Sequence, residues 1–213
     1  IWRSAGDGSL LERLVDGLGN PRGIELDTNA SRMYWVDRIT DTIGRASLDG
    51  TNQAKSFCSG LSNPDDLALD IANGKMYWTE PTDNRIRWSS LNSCNPQTFL
   101  SATSGVADPV GIALDMKNGK VYWTEFSPAR VKRANLNGTN IETLINSGLW
   151  SPLELALDVD DGYMYITDSI EDTPGYGGRI VRGPPPRGKL KNNRTHPDKP
   201  AGNGFVLVVT HPS

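Results

Sequence analysis

Three observations predict an all-β chain built from repeated four-stranded sheets. The first is a motif. Met33-Tyr34-Trp35-Val36-Asp37 returns as Met76-Tyr77-Trp78-Thr79-Glu80, Val121-Tyr122-Trp123-Thr124-Glu125 and Met164-Tyr165-Ile166-Thr167-Asp168. The second is its period: Tyr34, Tyr77, Tyr122 and Tyr165 lie 43, 45 and 43 residues apart. Such a spacing marks one supersecondary unit copied along the chain, a unit too small to bury its apolar face alone. The third is that other motifs recur around each tyrosine block in fixed order. Together they make four short antiparallel strands joined by tight turns, which describes the blade of a β-propeller.

The first strand of the unit reads Gly23-Ile24-Glu25-Leu26-Asp27, with relatives starting at Asp66, Gly111 and Glu154. Large apolar residues alternate with small or polar ones, the period of a strand. Pro21, Pro64, Pro109 and Pro152 stand two residues ahead of each copy. The expectation is that they lie just outside the strand, where no ladder donor is lost. The Tyr-Trp strand comes next, preceded by Asn73-Gly74, Asn118-Gly119 or Asp161-Gly162, dipeptides that favour hairpin turns. The third strand is Ile43 to Leu48 and its relatives from Ile1, Ile86 and Val131. A weaker fourth strand covers Leu11 to Val15, Ala54 to Cys58, Gln97 to Leu100 and Ile141 to Ile145.

These motifs resemble the YWTD propellers, the class B repeats of the low-density lipoprotein receptor family. The matching residues are the Tyr-Trp-Thr-Asp/Glu blocks, the Pro-x-Gly-Ile-Ala-Leu-Asp strand and the Ile-x-Arg-Ala-x-Leu-Asp-Gly-Thr-Asn block, over residues 1 to about 182. The resemblance implies six blades. The repeats here supply about five, with four or six as alternatives. One blade is expected to be shared by the termini, with Phe205 to Thr210 pairing beside Ile1 to Ser4, because an open sheet edge invites aggregation. Residues 1–213 then form one domain. Residues 183–202, rich in proline, are read as an irregular insertion.

Composition narrows the function. The net charge is −3 over 213 residues, with no basic stripe, so no nucleic-acid partner is expected. No apolar run reaches the ~20 residues that cross a bilayer, so no membrane insertion is expected. Cys58 and Cys94 could be free thiols or one disulfide. Both fall at the periphery of adjacent blades, and in an oxidising compartment a bridge is expected. Sequons at Asn29, Asn137 and Asn193 are candidate glycosylation sites.

Repeated polar residues read as structural. Asp37, Glu80, Glu125 and Asp168 are expected to accept backbone hydrogen bonds and lock neighbouring blades. Asp27, Asp70, Asp115 and Asp158, and Arg3, Arg45, Arg133 and Arg182, read the same way. Departures from the repeat are more informative. Asp66 and Glu154 stand where other copies have Gly23 and Gly111, so Asp65, Asp66 and Glu154 should gather at the mouth of the central channel with Arg22 opposite. Such oxygen ligands suit Ca²⁺; a solvated acidic rim is the plainer alternative. The loops before the first strands and after the Tyr-Trp strands vary. They carry Arg22, Arg38, Asp65, Asp66, Phe126, Arg130, Trp150, Glu154 and Tyr176, a mixture of aromatics and charges suited to selective binding.

The catalytic motifs sought (a Gly-x-Ser-x-Gly elbow, His-Glu-x-x-His, a phosphate loop) do not occur. The expected function is therefore a secreted, non-enzymatic binding module for a protein segment or a carbohydrate, lectin-like or defence-related. The alternative is a calcium-dependent propeller hydrolase of the lactonase kind with a metal in its channel.

Overall fold

The computed structural model describes residues 1–169 and 178–183. The chain opens with a two-stranded sheet, β1 (Trp2–Arg3) and β2 (Glu12–Arg13). The first blade follows: β3 (Pro21–Asp27), β4 (Arg32–Asp37), β5 (Thr42–Ser47) and β6 (Ala54–Cys58), hydrogen-bonded in chain order. The second is β7 (Leu67–Asp70), β8 (Lys75–Glu80), β9 (Arg85–Ser90) and β10 (Gln97–Leu100). The third is β11 (Pro109–Asp115), β12 (Lys120–Glu125), β13 (Arg130–Asn135) and β14 (Glu142–Ile145). The fourth holds β15 (Pro152–Asp158), β16 (Tyr163–Asp168) and β17 (Arg179–Gly183). The architecture is all-β and propeller-like, with four blades among the described residues, the lower of the expected alternatives to five. The sheet β1–β2 carries only the third and fourth parts of a unit. The expected pairing of Phe205 to Thr210 with the first strand and the proline-rich insertion, beyond Gly183, lie outside the described residues.

One strand serves two interfaces because its side chains alternate. Tyr34 and Val36 of β4 point forward, packing on Leu67, Met76 and Trp78 of the second blade. Met33 and Trp35 point back, onto Val15. The next junctions repeat this: Tyr77 and Ile86 meet Ile112, Val121 and Trp123, and Tyr122 and Val131 meet Leu155, Met164 and Ile166. Trp35, Trp78 and Trp123 are completely buried. At ~1.5–3 kcal/mol for each large apolar side chain removed from water, these seams are the main source of stability. Each strand is apolar on both faces for the same reason.

Pro64 lies outside β7, as expected, but the other three prolines sit differently. Pro21, Pro109 and Pro152 are themselves the first residues of β3, β11 and β15. Each pairs opposite the terminal carboxylate of the Tyr-Trp strand: Asp37, Glu125 and Asp168. A first strand residue is one of the few sheet positions a missing N–H allows. The ladder is irregular just after each of them.

Turns between the first two strands are built by the repeated aspartates. Asp27, Asp70, Asp115 and Asp158 each accept the backbone N–H three residues on, at 2.9–3.1 Å. The turn then passes through a left-handed residue, Gly74, Gly119 or Gly162, and Ser31 in the first blade.

Cys58 at the end of β6 is joined to Cys94 in the β9–β10 turn, Cα to Cα 5.2 Å. The bridge ties the rims of two adjacent blades.

The first blade also differs inside. Opposite Trp78 and Trp123 stand Arg87 and Lys132, but opposite Trp35 stands Gly44. A Cβ on Gly44 would lie 2.3 Å from the Trp35 ring. Gly44→Ala should therefore destabilise the protein by about 2 kcal/mol through overpacking, read from the urea midpoint. A midpoint unchanged from wild type would show that the indole can turn aside.

Candidate functional site

The loops that lead into the inner strands β3, β7, β11 and β15, and those that leave β4, β8, β12 and β16, open on one face. Their positions are set by the terminal carboxylates of the Tyr-Trp strands. Asp37 accepts the N–H groups of Gly19 (2.7 Å) and Asn20 (2.9 Å), and Asp168 accepts those of Trp150 and Ser151, both at 2.9 Å. Glu125 accepts Ala107 N–H at 3.0 Å. Each thus clamps the loop entering its own blade, a more local role than locking neighbouring blades. Burial pushes the Asp37 carboxyl up, but four backbone N–H groups more than offset this and hold it below the usual carboxylate value. The glutamates reach further. Glu80 accepts Trp78 Nε1 at 2.9 Å and pairs with Arg85 at 2.5 Å. Glu125 does the same with Trp123 at 3.2 Å and Arg130 at 2.7 Å. Asp37 is one methylene shorter, and Trp35 Nε1 is left buried without a partner.

Within this frame the variable residues fall into three groups. At the mouth of the inner strands, Asp65 is buried and held by Arg38 at 3.0 Å and Arg22 at 3.6 Å. Arg38 also donates from Nε to Asn63 Oδ1 at 2.6 Å. Nearby, burial raises the Asp108 carboxyl; the Arg38 charge lowers it and that of Asp65 raises it.

Beneath them lies a pair of acids. Asp66 accepts Leu67 N–H at 2.8 Å and, across the seam, Ile112 N–H at 2.9 Å. Burial drives its carboxyl well above the usual value, and the charge of Glu154 drives it further. Glu154 is raised too, first by burial, and is stabilised as the acceptor of the Asp66 proton. Two carboxyls from the second and fourth blades thus hydrogen-bond to one another. Asp66 has room here because residue 23 has no side chain: a Cβ on Gly23 would lie 2.1 Å from Asp66 Oδ1. The three acids of the expected calcium set are thus divided, Asp65 to the arginines and Asp66 to Glu154. Among the described residues no three His, Cys, Asp or Glu side chains are placed to hold a metal ion.

The third group is a platform. Trp150 is half exposed, and the Arg179 guanidinium lies 3.6 Å from its ring centroid. Arg179 is fixed by Asp168 at 2.7 Å. Phe126 is half-buried in the loop after β12, and Arg130 is turned inward onto Glu125. Tyr176 and Asn193 lie outside the described residues. Asn29 and Asn137 are exposed in turns.

One residue was passed over. Glu25, in β3, stands where the other inner strands have Ala68, Ala113 and Ala156. Burial raises its carboxyl to about 7, and its contact with the Leu26 N–H only partly opposes this. The signal was in the alignment of the repeats, as clear as that of Asp66.

The comparisons with known proteins agree with this geometry. The model of the low-density lipoprotein receptor repeat class B matches residues 31–71 and 119–159. Class B repeats are thus matched at two sites of the chain. The two matches start in the turns before β4 and β12 and end in the turns after β7 and β15, so a class B repeat spans two blades. Among solved structures, a chain of a nidogen/laminin complex is 25% identical, with a TM-score of 0.68 over 78% of this chain and 60% of that one. A streptogramin B lyase is 17% identical, TM-score 0.61, over 81% and 53%. A catalytically inactive virginiamycin B lyase from Staphylococcus aureus, with quinupristin, is 19% identical, TM-score 0.58, over 76% and 52%. The chain thus spans 60% of the first and about half of each lyase, and the lyases share its fold alone. Among the described residues no helix is long and apolar enough to cross a membrane.

Proposed function

We propose that this class B propeller is a secreted, non-enzymatic module that binds a protein on the face of its variable loops. The observation that carries the reading is the Trp150–Arg179 platform: a half-exposed indole stacked on a guanidinium that Asp168 fixes, on the same face as the charged mouth of Arg22, Arg38 and Asp65. Rigid aromatic anchors beside guanidinium groups are the usual centres of protein recognition. The related chain in a complex of two proteins supports a protein rather than a carbohydrate partner. The bridge Cys58–Cys94 supports an oxidising compartment.

The test uses an array of extracellular proteins that includes laminin, with a glycan array beside it. Saturable binding to a protein is expected. Trp150→Ala should weaken it by more than ~1 kcal/mol, and Lys117→Ala, on the opposite face, should leave it unchanged. Binding to glycans alone, or sensitivity only to Lys117, would overturn the assignment. The calcium-dependent alternative is checked separately. Since Asp65 and Asp66 are already engaged, millimolar Ca²⁺ should leave the melting temperature where it was; a rise of several degrees would restore the metal reading.

A further inference from the structure

The turns from third to fourth strand repeat one arrangement. In Asp7-Gly8-Ser9, Asp49-Gly50-Thr51 and Asn137-Gly138-Thr139 the first side chain holds the third residue. Asp7 Oδ1 accepts the N–H of Ser9 at 2.9 Å and its hydroxyl at 2.6 Å. Asp49 Oδ1 does the same for Thr51, at 2.9 and 2.6 Å. Asn137 Oδ1 does it for Thr139, at 3.1 and 2.6 Å. Only an oxygen can meet two donors, so the Asn137 amide is fixed with its Nδ2 turned away. One terminal atom thus carries the turn in all three copies. The other makes no hydrogen bond among the described residues, and only in Asn137 is it an NH₂. A charged oxygen accepts more strongly than a neutral one, so aspartate would serve this turn at least as well. The turn itself does not explain Asn137.

These turns lean on the preceding blade. A Cβ on Gly50 would lie 2.9 Å from the Leu14 carbonyl, and one on Gly138 would lie 3.7 Å from Leu100 and Phe99 of the second blade. The carbonyl of Leu91, just ahead of Asn92, accepts from Arg45 at 3.2 Å and from the Tyr34 hydroxyl at 3.3 Å. Asn137 therefore stands on the side away from the fourth blade, where the described chain ends, and both it and Thr139 are exposed. Asn29 is exposed too, but its sequon is folded into the β3–β4 turn. Ser31 gives its N–H to Thr28 at 3.3 Å and takes that of Leu48 at 3.0 Å. Ala30 N–H goes to Asp27 at 2.9 Å. Among the described residues nothing joins the Asn29 side chain to the Ser31 hydroxyl.

The geometry points to Asn137 as the site of an N-linked glycan that the folded chain accepts, in preference to Asn29. The donor is an oligosaccharide carried on a lipid diphosphate. Nδ2 attacks the anomeric carbon and an N–C bond forms. The bond from that carbon to the diphosphate oxygen breaks, the diphosphate leaves with the electron pair, and one amide proton passes to a base of the transferase. Oδ1 is untouched, so Thr139 keeps both of its bonds. The glycan then stands on the face of the Asn-Gly turns and leaves the variable loops to a protein partner. The inference rests on the proposed secretion, the route on which such donors are met; the experiment supplies the donor and does not depend on it.

Folded, oxidised full-length chain made without sugar, with Asn193→Gln, is incubated with a purified oligosaccharyltransferase and a lipid-linked oligosaccharide. Mass spectrometry of the digest reads each site over time. Asn137 should be modified about tenfold faster than Asn29, since two backbone hydrogen bonds must open before the Asn29 turn is released. In free peptides spanning each sequon that preference should fall severalfold. Asn137→Asp should abolish transfer there and leave the urea midpoint unchanged, because Asp7 and Asp49 already serve the same turn. A folded chain that takes no glycan at Asn137, or takes it equally fast at Asn29, would overturn the proposal. So would a preference unchanged in the peptides, or a midpoint lowered by Asn137→Asp, which would make the amide structural.

Discussion

Replacing both Cys58 and Cys94 by alanine is expected to lower stability by about 4 kcal/mol. The bridge closes a loop with a sequence separation of 36, and constraining a loop of that length removes about that much chain entropy from the unfolded state. Losing it would remove a large share of the 5–15 kcal/mol typical of a domain. Location adds to the effect. Cys58 is buried against Leu61, Leu91 and the Tyr34 ring, so the bridge also fills the outer end of the seam between the first two blades. Equilibrium unfolding in urea, with and without reductant, measures the difference. A loss below ~1 kcal/mol would show that the two rims are held by packing alone, and that the entropic account fails here.

The second large effect concerns Glu25 and depends on pH. Its folded value of about 7 lies above the ordinary 4.5 of a free glutamate. The folded chain therefore holds a proton that the unfolded chain has released between these values, and stability falls as pH rises through that window. The full difference is about 3 kcal/mol, at ~1.36 kcal/mol for each unit. Below pH 4.5 the side chain is neutral in both states and this cost is absent. Glu25→Ala, which copies the other three blades, should thus stabilise the protein by about 3 kcal/mol at pH 8 and far less at pH 4.5. Urea midpoints at the two pH values decide it; equal gains at both would mean that burial of the charge is not the cause. Asp66 and Glu154 are raised in the same sense, so the variant should keep some residual loss of stability on the alkaline side. Asp37 works in the opposite direction and weakens the fold only in strong acid.

What the sequence disclosed and what it hid follow one division. Features with a local cause were legible. The turn aspartates act over three residues, the Tyr-Trp strands alternate with a period of two, and the cysteines fall on rims that the repeat itself locates. Features that depend on which blade faces which were hidden. The repeat put Asp66 and Glu154 on one face, but only the packing of inner strands shows that they hydrogen-bond to one another. Asp65 carried the same formal charge, and two arginines from the first blade had first claim on it. The difference between Asp37 and Glu80 is one methylene in the sequence. In the seam it decides whether the buried indole N–H beside it finds an acceptor. Three strands begin two residues earlier than expected, on Pro21, Pro109 and Pro152, because the ladder tolerates a missing donor at its first rung as well as before it.

The carbonyl of Leu91 also bears on synthesis. It accepts from the Tyr34 hydroxyl and from Arg45 of the preceding blade, and a ribosome adds it 46 residues after Arg45, when the strands of the first blade are already made. The first blade is therefore finished by the second. During translation its Tyr34 and Arg45 donors wait for that acceptor, and the outer seam of the first blade closes only once the third strand of the second has emerged.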